Sequence, residues 1–281
     1  MGGLPPPSDS GSGATPLAEA WPQWRERIRT AAKLTLFLDF DGTLVRIASH
    51  PDEVELTREV AAVLRGLAVR QGVWVVILSG RARAELTRYL SFPGVVLIGS
   101  HGYEMALPVE VLPLVDRARE VCARGVGDLE RKLGEYPGAW LELKPSGGSV
   151  HYRKVDPDRQ NEVVELVTQW HRAEPARVQA TILRPARKAV EIRPRGEWGK
   201  GEAARWWLTA AGPVEARDST VLVAGDDDTD EDMFRSFSAG GFTLRVGGDP
   251  RTTSARAWVE SPDGVWRWLE DVEALCRERH G

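Results

Sequence analysis

Short apolar runs alternate with amphipathic stretches through the first third of the chain. The stretch Thr57–Arg70 carries apolar residues at helical spacing and lies between two runs that are almost entirely apolar. Apolar runs of this kind are typical of strands buried on both faces of a parallel sheet, with helices as the connections. The predicted strands are Leu34–Leu38, Val73–Leu78 and Val95–Ile98, and the predicted helices are Trp21–Ala32, Thr57–Arg70 and Arg81–Leu90.

The pattern changes between residues 108 and 194. A helical stretch followed by two alternating strands occurs twice, and the turn of the first strand pair reads Pro-Ser-Gly-Gly, which is a hairpin signal. This order predicts a small α+β unit with one antiparallel sheet. Its predicted helices are Val109–Leu133 and Pro157–His171, and its predicted strands are Ala139–Lys144, Ser149–Val155, Arg177–Leu183 and Lys188–Arg193.

The first pattern returns after Pro194, with helix Lys200–Ala211 and the apolar strand Thr220–Ala224. We therefore predict an α/β fold in which a Rossmann-like parallel-sheet core carries an inserted α+β domain. Insertion at a surface loop is tolerated because the two ends of an inserted domain lie close together. The predicted division is a disordered tail over 1–20, a core formed by 21–107 and 195–281, and an inserted domain over 108–194. Further predicted core elements are Asp228–Phe237, Phe242–Val246 and Gly264–Arg279.

Composition excludes several classes of function. The net charge is −4 over 281 residues, so no broad electrostatic attraction to nucleic acid is expected. No apolar run approaches the roughly 18 residues of a membrane helix. Two scattered cysteines form no metal-ligand pattern, and the Gly/Pro/Ser-rich start lacks the features of a secretory signal, so we expect a cytoplasmic protein. We also expect a monomer with a small-molecule partner.

Four polar motifs follow or adjoin predicted strands, where ligands bind in open α/β sheets. Asp39 and Asp226 can supply oxygens to Mg²⁺, whose charge would compensate the clustered carboxylates. Asp39 could also attack phosphorus, and Asp41, two residues on, would serve as general acid and base. The motifs are DFDGT with Asp39, Asp41, Gly42 and Thr43; SGR with Ser79 and Arg81; Lys200 in WGKGEA; and GDDDTDEDMF over 225–234.

The remaining motif residues suit phosphate binding. Ser79 and Lys200 would hold phosphate oxygens as donor and counter-charge, and Gly42 and Thr43 would let backbone N–H groups approach the phosphate. Each motif has a simpler interpretation by itself: an Asp pair caps turns, Ser-Gly-Arg begins a helix, and an acidic run is a solvated helix start. Their occurrence together, in this order after apolar strands, favours chemistry over coincidence.

These motifs resemble the haloacid dehalogenase superfamily of phosphotransferases. The segments IGSHGYE, SVHYRKV and VEIRPRGEWGKGEA further resemble the trehalose-6-phosphate phosphatase family, over nearly the whole chain from Leu34. The resemblance implies Mg²⁺-dependent hydrolysis of trehalose 6-phosphate through an aspartyl-phosphate. The resemblance implies that Asp39 is nucleophile and metal ligand, that Asp41 is general acid/base and gives its backbone carbonyl to the metal, and that Asp226 is the third metal contact. It implies support by Asp227 and Asp230, either as water-mediated ligands or by orienting Lys200. It places Arg81 and His101 at the edge of the site.

The resemblance also implies that the inserted domain is a cap that binds the sugar. Charged residues on its predicted strands are candidate contacts to glucose hydroxyls, namely Glu142, Lys144, Arg153, Lys188 and Glu191. A solvated sheet face is the alternative interpretation of these residues. Alternative functions are another capped sugar-phosphate phosphatase, acting on sucrose phosphate or mannosyl-phosphoglycerate, and a non-catalytic sugar-phosphate-binding domain.

Overall fold

The computed structural model describes residues 13–48 and 53–278, which divide into two compact units. The core unit contains the described residues up to Gly102 together with those from Trp198, and the inserted unit is Tyr103–Glu197. The inserted unit thus begins five residues before the predicted boundary and ends three residues after it. None of the helices in the described part of the chain has both the length and the apolar character that a membrane span requires.

The strands and the helices are each numbered in chain order. The strands are β1 (Thr15–Pro16), β2 (Leu34–Leu38), β3 (Val73–Leu78), β4 (Val95–Ile98), β5 (Trp140–Lys144), β6 (Gly147–His151), β7 (Thr181–Ala186), β8 (Ala189–Pro194), β9 (Thr220–Gly225), β10 (Phe242–Val246) and β11 (Ala257–Val259). The helices are α1 (Leu17–Thr30), α2 (Arg58–Ala68), α3 (Arg83–Tyr89), α4 (Leu112–Leu133), α5 (Gln160–Arg172), α6 (Pro175–Ala180), α7 (Lys200–Trp206), α8 (Glu231–Phe237) and α9 (Pro262–Glu278).

The core unit is built on a parallel sheet that has seven strands among the described residues, in the order β1-β11-β10-β9-β2-β3-β4. Strand β2 is buried along its whole length and pairs with β3 on one side and β9 on the other. Leu38 lies opposite Ile77 and Ala224, so the carboxyl ends of these three strands reach the same edge of the sheet. The predicted α/β fold class is confirmed.

Aromatic side chains fill part of the core beside the sheet. Trp21 of α1 contacts Trp268 of α9 edge-on, with ring centroids 5.8 Å apart, and Phe242 of β10 lies 5.3 Å from Trp21. These buried rings join the first and last helices to the sheet, and burial of large aromatic surface is a main source of core stability. Trp21 and Trp268 therefore have a packing role in the core.

The first strand and the first helix lie partly within the range predicted as a disordered tail. Thr15 and Pro16 pair in parallel with Ala257 and Trp258 at the sheet edge, and α1 starts at Leu17. The prediction was wrong for residues 15–20, because a two-residue edge strand has no visible hydrophobic period. Residues 1–12 of that range lie outside the described residues.

The inserted unit is an antiparallel sheet in the order β5-β6-β8-β7, with helices packed on one face. Leu129 of α4, Val163 and Trp170 of α5, and Val150 and Ile192 of the sheet belong to one apolar cluster. The predicted strand over 177–183 was wrong in its first half. Residues 175–180 form α6, which starts at a proline, a residue favoured in the first turn of a helix.

Two glycines of α4, Gly125 and Gly127, have different surroundings, so we expect substitution by alanine to have opposite effects on stability at the two positions. A Cβ at Gly125 would lie 2.3 Å from Arg177 Nη2 and 3.0 Å from the Trp170 ring, whereas a Cβ at Gly127 would meet nothing within 4 Å. We expect Gly125→Ala to lower the free energy of unfolding by about 1–3 kcal/mol through overpacking. We expect Gly127→Ala to raise it by up to about 1 kcal/mol, since alanine is the better helix former. Urea unfolding of both variants measures the difference, and equal shifts would contradict it.

Candidate active site

The candidate site lies at the carboxyl edge of the core sheet. Asp39 follows β2, Ser79 follows β3 and Asp226 follows β9, so the register of the three strands brings the motifs together. The Asp39 N–H donates to the carbonyl oxygen of Ala224 at 3.0 Å, which anchors the start of the motif to the neighbouring strand. Asp39 and Ser79 are both buried, with 4% and 1% of their surface exposed.

Three carboxylates at this edge form a cluster that could hold a metal ion. One oxygen from each of Asp39, Asp226 and Asp230 lies within 4.8 Å of the others. Hard oxygen donors of this kind suit Mg²⁺. Gly42, at φ +81°, lets the chain pass close by, because a Cβ there would lie 2.2 Å from Asp226 Oδ2. The residues present therefore fit a divalent cation.

Lys200 connects two members of the cluster. Its Nζ donates to Asp39 Oδ1 and to Asp230 Oδ1, each at 2.7 Å, and only 2% of the residue is exposed. The second oxygen of Asp230 accepts from the backbone N–H groups of Asp226 at 2.9 Å and Asp227 at 3.1 Å. Asp230 thus holds both the lysine and the loop after β9. It also lies inside the cluster.

Burial gives two of these carboxyls a strong tendency to take up a proton. Burial raises the pKa of Asp39 to about 8, with Asp226 and Asp227 adding to the rise and Lys200 opposing it. Burial likewise raises the pKa of Asp226 to about 8, with contributions from the charges of Asp230 and Asp227. One ammonium group does not balance several buried carboxylates, so the cluster has room for a further positive charge.

Asp227 has the opposite tendency. Burial by itself would raise the pKa of Asp227, but the charge of Lys200 and the hydrogen bond from Thr229 outweigh it and lower that pKa to about 2. The Thr229 N–H and hydroxyl both donate to Asp227 Oδ1, at 2.8 Å and 2.6 Å. Asp227 therefore stays ionised and shapes the acidic loop.

Asp41 is held by Arg81 and not by the cluster. Arg81 Nε donates to Asp41 Oδ2 at 2.6 Å, and Nη2 donates to Oδ1 at 2.7 Å, a bidentate pair. The guanidinium lies 5.4 Å from the ring centroid of Phe40 and 5.7 Å from that of Tyr89, and the arginine is 8% exposed. Arg81, predicted to bind substrate, is thus the partner of the predicted acid/base residue.

His101 lies against the SGR motif in an unusual backbone conformation. Ser100 and His101 both have left-handed φ angles, of 50° and 56°, and their N–H groups donate to the carbonyl oxygens of Arg81 and Ser79. A Cβ at Gly80 would lie 2.5 Å from His101 Cε1, so the glycine of the motif makes room for the imidazole. Left-handed backbone in non-glycine residues is strained and is concentrated at functional sites.

Three of the five predicted sugar-binding residues, Glu142, Lys144 and Glu191, lie on the polar face of the inserted sheet. Glu142 Oε2 is 2.7 Å from His151 Nε2, and its Oε1 is 3.6 Å from Lys144 Nζ, so Lys144 is a third predicted residue in this group. The His151 ring stacks on Trp140, with centroids 4.5 Å apart. Glu191 forms an ion pair with Arg193 on β8. Sequence analysis did not predict the His151–Glu142 pair, although the hairpin register would have indicated it.

The other two, Arg153 and Lys188, lie outside the strands. Arg153 follows the end of β6, and its Nη2 donates to the carbonyl oxygen of Arg187 at 3.2 Å. Lys188 lies in the β7–β8 turn with a φ of 61°, and its Nζ donates to Gln160 Oε1 at 2.7 Å. Their predicted strand positions were wrong, since β6 ends at His151 and β8 begins at Ala189.

A parallel-sheet core with an inserted antiparallel unit is a fold that this chain shares with solved structures. The C-terminal domain of trehalose-6-phosphate phosphatase from C. albicans has this fold, with a TM-score of 0.71, 22% identity and coverage of 96% of this chain and 99% of that one. A haloacid dehalogenase-like hydrolase from Bacteroides thetaiotaomicron is similar at a TM-score of 0.53 and 18% identity, over 85% of this chain and 99% of that one.

Sequence comparison identifies the family of this chain. The family model described as trehalose-phosphatase matches residues 37–257, and the chain belongs to this family. A trehalose-phosphate phosphatase from Mycobacterium marinum is 32% identical over 84% of this chain and 60% of its own length. The probable trehalose-phosphate phosphatase D of Arabidopsis thaliana is 31% identical over 87% of this chain and 69% of its own length. The chain spans about three fifths of the length of the mycobacterial relatives it matches.

The raised pKa values of Asp39 and Asp226 predict how stability depends on pH and cation. Both groups keep their protons in the folded state up to about pH 8, whereas the carboxyls of the unfolded chain have a pKa of 3.8. The folded protein therefore binds more protons between these limits, so the free energy of unfolding of the metal-free protein falls as pH rises through this window. Mg²⁺, which replaces protons on the carboxylates, should stabilise the protein more at pH 8 than at pH 6.

Thermal unfolding with chelator or with millimolar Mg²⁺ at both pH values measures this difference. Asp226→Asn is the matched control, because it keeps the shape of the side chain but removes one ligand charge, and its Mg²⁺-dependent rise in midpoint should be much smaller. An equal rise at pH 6 and pH 8 in the unaltered protein would contradict the prediction.

Proposed function

We propose that this protein hydrolyses trehalose 6-phosphate to trehalose and inorganic phosphate with Mg²⁺. The observation that carries the proposal is the buried Asp39 beside Lys200 and Asp226 at the end of the central strand of a trehalose-phosphatase family member. The activity named for the mycobacterial and plant relatives supports the choice of substrate.

The acidic cluster would hold the cation through Asp39, Asp226 and the backbone carbonyl of Asp41, with Asp230 and Asp227 in support. Bound Mg²⁺ would compensate the carboxylate charges, so that Asp39 stays ionised, and would polarise a phosphoryl oxygen. Lys200 and the Ser79 hydroxyl bind the remaining phosphoryl oxygens. The predicted phosphate-binding role of the Gly42 N–H does not hold in this structure, because that N–H donates to the Val45 carbonyl oxygen at 2.8 Å.

Asp39 is the nucleophile in this proposal. Lys200 already donates to its Oδ1, which orients the carboxylate and leaves Oδ2 to attack phosphorus. The bond between phosphorus and the sugar oxygen breaks, Asp41 gives a proton to that oxygen, and trehalose leaves. Asp41 then takes a proton from water, the water oxygen attacks phosphorus, and phosphate is released with Asp39 restored.

Arg81 orients Asp41 for the second half of this cycle. The bidentate pair fixes the orientation of the Asp41 carboxylate. His101, whose ring packs against Gly80, completes the edge of the phosphate site.

The polar face of the inserted sheet is proposed to recognise the sugar. Glu142 and Glu191 present carboxylate oxygens that accept hydrogen bonds from glucose hydroxyls, and Lys144 donates one. Both glutamates are fixed by neighbouring cationic or imidazole groups, which reduces the entropy lost when sugar binds. Arg153, which follows β6, and Lys188, in the β7–β8 turn, would contribute from outside the strands.

A panel of sugar phosphates tests the reaction directly. With Mg²⁺ present, we expect phosphate release from trehalose 6-phosphate to exceed that from glucose 6-phosphate, sucrose 6-phosphate and mannosyl-phosphoglycerate. Asp39→Asn should reduce release to background while leaving the circular dichroism spectrum unchanged, because only the nucleophile is lost. Preference for another ester would overturn the substrate, and no release from any ester would favour a non-catalytic binding domain.

The sugar-binding role of the inserted sheet predicts a split between substrates. Glu142→Gln and Glu191→Gln should each raise the KM for trehalose 6-phosphate about 10- to 100-fold, as expected for loss of a hydrogen bond to a charged group. Hydrolysis of a small aryl phosphate should change less than about threefold, since it does not need the sheet. Glu162→Gln, an exposed glutamate of α5 in the same unit, is the matched control. Equal losses on both substrates would count against sugar binding.

A further inference from the structure

Ser149 carries a buried hydroxyl without a hydrogen-bond partner among the described residues. It lies on β6 in the middle of the inserted sheet, with 1% of its surface exposed, and its Oγ is satisfied by neither side chain nor backbone. A buried polar group left unpaired destabilises a fold by about 1–3 kcal/mol. Alanine at this position would avoid that cost. The presence of a serine therefore suggests that its hydroxyl binds a partner from outside the chain.

The register of the sheet places this hydroxyl between two carboxylates. Ser149 pairs directly with Glu142 of β5 on one side and with Glu191 of β8 on the other. Residues directly opposite each other in an antiparallel pair point to the same face with neighbouring Cβ atoms. The three side chains therefore form one row on the polar face of the sheet, opposite the face that packs on the helices.

The hydroxyl of Thr181, on the other face of the same sheet, is buried and has hydrogen-bond partners within the protein. The Thr181 hydroxyl donates to the Arg177 carbonyl oxygen at 2.8 Å, and His171 Nε2 lies 3.0 Å from the same Oγ1. Thr181 is as deeply buried as Ser149. The Ser149 hydroxyl, in contrast, has no such partner on its face of the sheet among the described residues.

Within the row, Ser149 is the one side chain that can donate a hydrogen bond. Ionised Glu142 and Glu191 only accept hydrogen bonds, whereas each sugar hydroxyl has one proton to donate and lone pairs that need donors. A sugar hydroxyl that donates to either carboxylate can accept from the Ser149 O–H between them.

We propose that Ser149 is a specificity-determining residue whose hydroxyl donates to a sugar hydroxyl that one of the flanking glutamates also binds. This inference rests on the proposed function and extends it. It assigns a neutral donor between the two acidic groups, and this donor selects esters that carry a hydroxylated ring over small phosphate esters.

Ser149→Ala tests the assignment because it deletes one oxygen and no existing hydrogen bond. We expect the KM for trehalose 6-phosphate to rise about five- to tenfold, with kcat and the hydrolysis of a small aryl phosphate changed less than twofold. Trehalose itself should become a weaker competitive inhibitor of the aryl phosphate by a similar factor. The thermal midpoint should stay constant or rise, since an unpaired buried hydroxyl is removed.

Thr181→Val is the matched control, because it removes a buried hydroxyl whose partners lie within the protein. It should lower the thermal midpoint and leave the KM for trehalose 6-phosphate unchanged. A Ser149→Ala variant that loses thermal stability with an unchanged KM, or that loses activity equally on both substrates, would overturn the proposal.

The same assay separates this proposal from the proposed function. If the unaltered protein prefers another sugar phosphate and Ser149→Ala raises the KM for that ester alone, the substrate assignment fails and the role of Ser149 stands. If trehalose 6-phosphate is preferred and Ser149→Ala leaves its KM unchanged, the reverse holds.

Discussion

Lys200 lies between the buried carboxylates of Asp39 and Asp230, and the arrangement of the whole site depends on this ion pair network. Removing charges from water costs several kcal/mol for each ion unless close partners compensate. One lysine offsets part of that cost, and the proposed cation would offset more of it. The same excess of negative charge that makes the site costly to fold makes it a strong binding place for a divalent cation.

The parallel sheet supplies the geometry that this network needs. Strand β2 has buried neighbours on both sides, so the residues after β2, β3 and β9 emerge side by side at one edge. The inserted unit has its own antiparallel sheet and its own apolar cluster. Phosphate chemistry and the proposed sugar recognition are therefore assigned to separate sheets, and each can change without repacking the core of the other.

Most of the core could be predicted from the sequence, because apolar runs and helical spacing report burial directly. The strands preceding Asp39, Ser79 and Asp226 were predicted close to their observed bounds. Prediction failed where local pattern is weak or misleading. The edge strand at Thr15 is too short to show a period, and Arg153 and Lys188 were assigned to strands that end or begin a residue or two away.

The sequence by itself determined which catalytic and binding groups the protein contains and their order along the chain. It also determined the strands that these groups follow, because strands depend on local residue type and spacing. Only the tertiary structure decided which groups touch. It paired Arg81 with Asp41, placed Asp230 on Lys200, and set Ser149 between Glu142 and Glu191. Residues far apart in the chain come into contact through sheet register and side-chain packing. The sequence around each residue does not indicate which distant residue it will contact.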